Sequence, residues 1–556
     1  MKNKCLKNTI GLTISLFLMI FFLAPGMIFA DVPPGYWSSP PFAAGDANNS
    51  GSCNGLDVIY LVAYFKGGPP PPYYVICDNI SNKMTRKYPA ADANGSCSLN
   101  GLDVTYLVSF LKGGDAPTYC QDHDCTTDRP LVDVFDSDIP PGSNVTWTSN
   151  NIYVLNEFVF VDSGATLTIE PNTIVKGLPG QGASAKALIV AKWGTLIADG
   201  NATNPIIFTS IADYTSIFED LPANPRGLWG GMLILGNAVI NTAAGVGQIE
   251  GIPETEPRGA YGGSDDTDSS GVLRYVSVRY GGSEIGAANE INGITFGAVG
   301  NRTVVEHVEV ANNLDDGFEW FGGTVNCKWM LVAFVGDDNY DYDEGYRGFG
   351  QFWACVQDPT TGNRGGEHDG GTDPEDGTPY AIPTISNATY IGSGASSGNI
   401  DSDHAFKIRD NAGGHYSNSI FTEFYGDGLD VEDLPSGHDS RERLETGDLT
   451  FTRTLWYNFG AGDVSANLWP QSYVETYMTN PANNNQIVNP VFNNIDWTFQ
   501  GFQLDPRVDP SGPAGSGAST PADPWFDNVS YYGAFAPTGD MWIKGWTWLW
   551  QAGYAK

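Results

Sequence analysis

From about Ile152 onward, short apolar runs are separated by Gly, Asn and Asp at intervals of roughly 8–12 residues. Ala165–Ile169, Thr173–Val175, Ala187–Val190, Pro205–Phe208, Met232–Leu235, Val276–Val278 and Val308–Val310 are such runs. They are rich in β-branched residues and lack the 3.6-residue recurrence of a helix, so they predict short strands joined by turns. A sandwich array and a parallel β-helix both fit that texture, and a repeat decides between them. The string 315-DDGFEWFGG-323 aligns with 337-DDNYDYDEG-345. Asp315 matches Asp337, Asp316 matches Asp338, Glu319 matches Asp341 and Gly323 matches Gly345. Upstream, Val310 matches Val332 and Ala311 matches Ala333, and one further step of the same length leads from Val332 to Ala354. A coil of about 22 residues holding three short strands is one rung of a parallel β-helix, with rungs about 4.8 Å apart. The reading is therefore a mainly β chain, a right-handed parallel β-helix over 151–500, with insertions at Ile211–Gly227 and Asp358–Ile382.

The N-terminal part has a different pattern. Residues 45–68 (GDANNSGSCNGLDVIYLVAYFKGG) and 91–114 (ADANGSCSLNGLDVTYLVSFLKGG) are two copies of one unit. In each copy an apolar set recurs at helical spacing, as Val58, Ile59, Leu61, Val62 and Phe65 do in the first, and Gly-Gly ends it. Before each helix, oxygen-bearing side chains fall on alternate positions: Asp46, Asn48, Ser50 and Ser52 with Asp57, then Asp92, Asn94, Ser96 and Ser98 with Asp103. That is the ligand ladder of a 12-residue calcium loop, closed by a carboxylate from the following helix. An Asx-rich turn that only caps the helix is the alternative. A loop followed by one helix, twice, resembles the dockerin type I repeats of secreted proteins over about 45–114. The resemblance implies calcium as cofactor and a cohesin-like protein as partner. Ser50 and Ser96 stand where that family usually has Asp, and Cys97 stands where Gly serves the turn.

The extreme N-terminus reads as an export signal over 1–30: Lys2, Lys4 and Lys7, an apolar run from Ile10 to Leu23, then a cleavable site after Ala30. Export makes disulfides possible. The similar spacings of Cys53 to Cys77 and Cys97 to Cys120 suggest one bridge per copy, with the pairing open. The divisions are thus 1–30 signal, 31–125 duplicated module, 126–150 linker, 151–500 β-helix and 501–556 an aromatic-rich C-terminal cap. Charge narrows the partners. Asp and Glu total 64 against 28 Lys and Arg, a formal net charge of −36. Such an excess repels phosphate backbones, so nucleic acid is not expected. No later segment reads as a membrane span.

The strings VDSGATLTIEPNTIVKG, GTLIADGNATNPIIFTS, WGGMLILGNA and DDTDSSGVLRYVSVRYGG, with the paired acidic strings, resemble a family of large secreted bacterial β-helix proteins. That resemblance covers most of 150–420 and implies fold and exposure rather than chemistry. Stacking like on like places Asp315, Asp316, Glu319, Asp341 and Asp343 together, and such charges need a cation, raised pKa values or exposure to water. With calcium, the cluster is a second oxygen-only metal or ligand site. With raised pKa values, paired carboxylates can act as acid and base on a glycosidic bond. The strings Asp337-Asp338, Glu367-His368 and Lys407-Ile408-Arg409 resemble the order in polygalacturonase-type hydrolases, with Glu-His-Asp standing where Gly-His-Gly is usual. A lyase would use calcium to acidify a uronate and Lys407 or Arg409 to take the proton. His307, His368, His404 and His415 have no zinc-type spacing. Trp542, Trp546 and Trp548 suit either sugar stacking or the cover of an open solenoid end, and the cover is the favoured reading.

These features together describe a secreted, calcium-binding modular surface or matrix protein. Its β-helix would be a scaffold for adhesion, carbohydrate binding or extracellular self-assembly. The alternative is a polysaccharide-degrading hydrolase or lyase on acidic glycans, with Asp337, Asp338, Lys407 and Arg409 as its catalytic candidates.

Overall fold

The computed structural model describes residues 46–48, 53–66, 71, 75–79, 83–87, 91, 93, 99, 101–113, 117 and 129–555, with gaps at 214, 216–220, 222–223, 287–288, 372–373, 436 and 496–502. The chain divides into two units, Met1–Asp128 with Ile211–Pro222, and Arg129–Ser210 with Ala223–Lys556. The expected export signal lies outside the described residues, as do Cys97 and Cys120 and the side chain of Cys77.

In the first unit the two copies form helices Gly55–Phe65 and Gly101–Leu111. Asn54 caps the first: its side chain accepts the Leu56 N–H at 2.8 Å, and Asp57 reaches back to the Asn54 N–H at 2.8 Å. Leu61 and Leu107 hold the same place in the two copies and share one small core with Ala47, Cys53, Ala91, Ala93 and Phe110. A helix of 11 residues is marginal alone in water, so the second copy supplies the surface the first one needs.

The second unit is a parallel β-helix. Each full coil crosses three faces. The first face is a sheet that has, among the described residues, nine parallel strands. They run in order from Phe158–Val161 through Ala187–Val190, Met232–Leu235, Ile294–Gly297, Phe318–Phe321, Tyr340–Asp343, Gly366–Asp369 and His404–Arg409 to Asp427–Val431. The other two faces are made by strands that bend midway. Gly271–Arg279, Val304–Ala311, Asn326–Ala333 and Phe349–Val356 turn at Tyr275, His307, Trp329 and Phe352, whose φ values are 50°, 55°, 56° and 60°. In later coils Asn387 and Asn418 take this left-handed corner, which suits Asn better than bulky residues.

Alternation along the first sheet sends one set of side chains inward. Phe318, Trp320, Tyr340, Tyr342, Phe406, Ile408, Leu429 and Val431 lie in the core. The rings stack from coil to coil: Trp320 on Trp353 at 5.0 Å, Tyr340 on Trp353 at 4.9 Å and Tyr340 on Tyr390 at 5.1 Å. Cys327 and Cys355 are buried in the same core.

Three boundaries differ from the sequence reading. The coils start at Leu131–Val134 and Asn144–Trp147, which pair in parallel with Ile152–Leu155 and Thr166–Ile169, so 126–150 is not simply a linker. Those strands carry Asp133, Asn144 and Thr146 on their outer side, which hides their apolar alternation. A long excursion leaves the helix between Leu235 and Gly271 and carries its own short pair, Gly247–Gln248 with Ala260–Tyr261. Finally, the segment from Gln503 does not close an end of the solenoid. It runs back along its flank. The Ser519 N–H donates to Asn418 Oδ1 at 2.9 Å, the Asp527 N–H to Gln351 Oε1 at 2.8 Å and the Trp548 N–H to Glu309 Oε2 at 2.6 Å. The cause lies in the corners, whose left-handed residues push Tyr275, His307 and Trp329 outward as a stacked row that Trp542 and Trp546 cover edge-on. Among the described residues, no helix is long and apolar enough to cross a membrane.

Candidate functional site: an acidic row on the first sheet

The strand alternation that buries Phe318, Tyr340 and Phe406 sends their neighbours out of the other face of the sheet. In register these neighbours are Thr295, Glu319, Asp341, Glu367, Lys407 and Asp430. Beside them, Asp343, Asp369 and Arg409 form a second outward row. The sequence alignment placed Glu319 against Asp341, and the two strands pair there.

At the turn leading into each strand, an Asp is fixed by backbone. Asp316 Oδ1 accepts the Asp338 N–H at 2.9 Å, and Asp338 Oδ1 accepts the Arg364 N–H. Asn313 and Asn339 hold the same turns, their Nδ2 atoms donating to the carbonyls of Asp316 and Arg364 at 2.8 and 2.6 Å. Two triads of carboxylate oxygens, each within 4.8 Å, result: Asp315, Asp316 and Asp337, then Asp316, Glu319 and Asp341. Asp316 belongs to both. Asp316 and Glu319 are each 8% exposed and Asp338 is 2% exposed, so this end of the row is roofed. Part of the roof is the excursion. Glu250 on it shares a donor with Glu319, Asn292 Nδ2 donating to both carboxylates.

The electrostatics follow from that burial. Loss of hydration raises Asp315 to about 8, helped by Asp337. Asp316, Glu319 and Asp341 are raised well above the ordinary carboxylate range, first by burial and then by neighbouring acids: Asp315 and Asp338 for Asp316, Glu250 and Asp341 for Glu319, Asp369 and Glu367 for Asp341. Burial also lifts Asp343 to about 8 and Glu344 to about 7, the latter accepting from the Tyr261 hydroxyl at 2.7 Å. Asp341 Oδ1, Asn313 Oδ1 and Asn339 Oδ1 are buried without any hydrogen-bond partner. Oxygens crowded, dehydrated and unsatisfied in this way fit a hard cation, because calcium takes roughly six to eight such ligands.

Cations enter the row further along. Arg364 lies 3.6 Å from Asp338, 3.4 Å from Glu367 and 3.3 Å from Asp403. Arg409 pairs with Asp369 at 2.7 Å and Glu367 at 3.4 Å. The nearest cation to the Asp337–Asp338 pair is therefore Arg364, rather than Lys407 or Arg409. Lys407 stands between Glu367 and Asp430 in the register and, among the described residues, makes no ion pair. Asp430 is engaged by Gln471 at 2.8 Å. His404 Nδ1 meets Asp427 at 2.6 Å, which favours its protonated form despite burial.

His368 points the other way. It is fully buried, stacks on Tyr342 at 3.8 Å, meets the Tyr416 hydroxyl at 2.6 Å and is pushed down to about 3 by burial. It is a core residue, and the resemblance to the hydrolase order fails there. Trp546 and Trp548 are buried where the flanking segment packs its own rings on Tyr275 and Tyr280 and present no ring to a sugar, while half-buried Trp542 stacks on Phe535 at 5.5 Å.

Arg364, Glu367 and Asp369 were missed as members of the row, although 363-NRGGEHDGG-371 continues it. The step between Asp338 and Arg364 is 26 residues instead of 22, and extra turn residues conceal it. Glu250 sits on the excursion, where no periodicity marks it.

In the first unit, Asp46 and Asp57 are buried at 1% and 0% exposure, and Asp103 at 0%. Burial raises Asp57 to about 6, with Asp46 adding to it, and Asn48 Oδ1 is buried without a partner. Ser50, Ser52, Asp92, Asn94, Ser96 and Ser98 lie outside the described residues.

Comparison with known proteins gives one match. No curated protein and no solved structure matches the chain. The family model described as a pectate-lyase-like beta helix domain matches residues 140–497, well over half of the chain. With its three-faced parallel coils and that match, the chain belongs to the pectate-lyase-like β-helix family.

Proposed function

We propose that this is an exported, calcium-binding β-helix protein whose first sheet engages acidic polysaccharide outside the cell, as a surface or matrix scaffold. The observation that carries the reading is the pair of carboxylate triads sharing Asp316, with unsatisfied amide and carboxylate oxygens beside them. Calcium there would neutralise the roofed end of the row. Its half-buried end, with Asp343, Asp369, Lys407 and Arg409, would meet the glycan. The family's description supports the substrate class, since pectate is an acidic polysaccharide. The duplicated module, through Asp46, Asn48 and Asp57 and their counterparts, would bind calcium and dock to a cohesin-like partner. An Asp46→Ala variant that bound as much calcium as the wild type would sink that part.

One observation favours a second reading as a lyase. Lys407 stands in the register between Glu367 and Asp430 and, among the described residues, makes no ion pair, so its amine is not tied to a carboxylate of the row and is placed to reach a uronate bound there. The experiment is calcium-dependent turnover and binding on a panel of acidic polysaccharides, comparing wild type with Asp337→Asn/Asp338→Asn. Binding without new ends supports the scaffold. Unsaturated products that vanish in the variant replace it with the enzyme. Neither binding nor turnover would defeat both.

A further inference from the structure

A second group of carboxylates lies at the margin of the row, where another excursion, between Asp369 and Thr384, meets the turns after two successive strands of the first sheet. Glu375 comes from the loop between Asp369 and Thr384, Asp410 directly follows His404–Arg409, and Glu432 directly follows Asp427–Val431. One oxygen from each lies within 4.8 Å of the others. We propose that Glu375, Asp410 and Glu432 form a calcium site of their own, which ties the excursion to two coils of the solenoid.

The acids alone would not carry this. Asn411 adds an independent observation. Its side chain is 1% exposed, and its Nδ2 donates to the Glu375 carbonyl at 3.2 Å. Its Oδ1, on the same carbon and so beside the same peptide, is buried with no partner, as is Glu375 Oε1. A buried amide oxygen is not left unsatisfied without cost, and a cation among these acids would satisfy it. The backbone around the group is prepared for close approach. Asp410 and Asn411 both take left-handed φ values, 49° and 65°, and the Asp410 N–H donates to Glu432 Oε2 at 2.8 Å.

The surrounding charges do not neutralise the group. Asp376 and Asp439 add negative potential. Arg409 is taken by Asp369 and Glu367, Arg441 by Asp433 and Glu445, and Arg443 by Glu442 and Asp448. Three carboxylates and one amide oxygen, completed by water, make the all-oxygen shell that calcium takes and zinc does not.

The site shares no carboxylate with the two triads of the row, and the test keeps them apart. Full-length protein stripped with a chelator is titrated with calcium alone by calorimetry, and its thermal unfolding is followed with and without the ion. Glu432→Gln and Glu375→Gln should each bind one ion fewer than wild type and lose part of the calcium-induced rise in Tm. In chelator both should melt at or above the wild-type temperature, because repulsion is relieved. Asp341→Asn, in the row, should keep this site. An unchanged number of ions and an unchanged calcium-induced rise in both Glu variants would overturn the proposal. If Glu432→Gln does not fold, Glu375→Gln decides alone, since Glu375 lies on the excursion and outside the coils.

Discussion

Asp316 and Asp338 stand on successive coils, 22 residues apart, and the first holds the second through its backbone, Oδ1 accepting the Asp338 N–H at 2.9 Å. Two carboxylates that repel as charges are thus locked together by a peptide hydrogen bond. The bond uses one oxygen of Asp316, and its carboxylate also belongs to both triads. Asp316→Asn keeps an acceptor for that N–H and removes the charge. It should melt at or above the wild-type temperature in chelator, and gain less from calcium. Asp316→Ala strands a buried N–H and should cost about 1–3 kcal/mol in either condition. Thermal unfolding of the two variants with and without calcium checks both statements.

The chelated protein should lose stability as pH rises. Asp315 and Asp343 titrate near 8 in the fold and Asp369 near 6, all above their ordinary value of 3.8. A raised folded pKa means that the fold binds protons more tightly than the unfolded chain between those limits. The stabilisation is complete below about pH 4 and is lost as pH climbs towards 8. Urea unfolding at pH 5 and pH 8 in chelator should show the fall. A flat profile would mean that the acids are hydrated.

His307 gives the opposite sign. It lies stacked between Tyr275 at 4.3 Å and Trp329 at 4.5 Å, and burial pushes it down to about 4. Its neutral form stabilises the fold above its unfolded pKa of about 6.5, and that contribution is lost as pH falls towards 4. His307→Phe keeps a ring in the stack. The stability difference between variant and wild type should shift in favour of the variant by up to about 3 kcal/mol between pH 7 and pH 4. Paired denaturant curves at the two values would measure it.

Glu309 is the anchor of the C-terminal segment. Fully buried, it accepts the Ser277 hydroxyl at 2.6 Å and the N–H groups of Trp548 and Leu549 at 2.6 and 3.1 Å. Glu309→Ala leaves those donors unsatisfied, so a loss of about 3 kcal/mol or more is expected. It should also speed cleavage by protease after Trp546 to Trp550, while Glu309→Gln should be milder. Equal cleavage rates in all three proteins would remove the anchor role.

How far the sequence shows all this depends on where its period is undisturbed. The two acidic strings lie on consecutive coils with nothing inserted between them, so Glu319 and Asp341 align in the sequence as they pair in the sheet. One coil later the reading slips. Val332 pairs with Cys355 and not with Ala354, because the turn Glu344–Gly348 holds one residue more than Gly322–Val325. A slip of one residue in a strand exchanges its inward and outward faces. His368 illustrates the cost: its neighbours Glu367 and Asp369 are in the row, while its own ring is in the core. The roof over Asp316 and Glu319 was not legible, since Glu250 meets Glu319 only through tertiary packing of an aperiodic segment. The aromatic residues after 501 announced burial against something. They did not say that the partner was a row of rings forced outward at left-handed corners.

The flanking segment also sets a timetable. Its last turns, at Trp548 and Gln551, grip Glu309, Tyr280 and Arg279, which belong to coils laid down nearly half a chain earlier. A solenoid grows coil by coil as the polypeptide emerges, each new rung templated by the last. The coils of Arg279 and Glu309 must wait with their side wall wet until residues 548–551 arrive. A chain cut short of Trp548 would build every coil and still leave these two unsealed, so sealing their flank is a folding step separate from, and later than, the laying down of the coils.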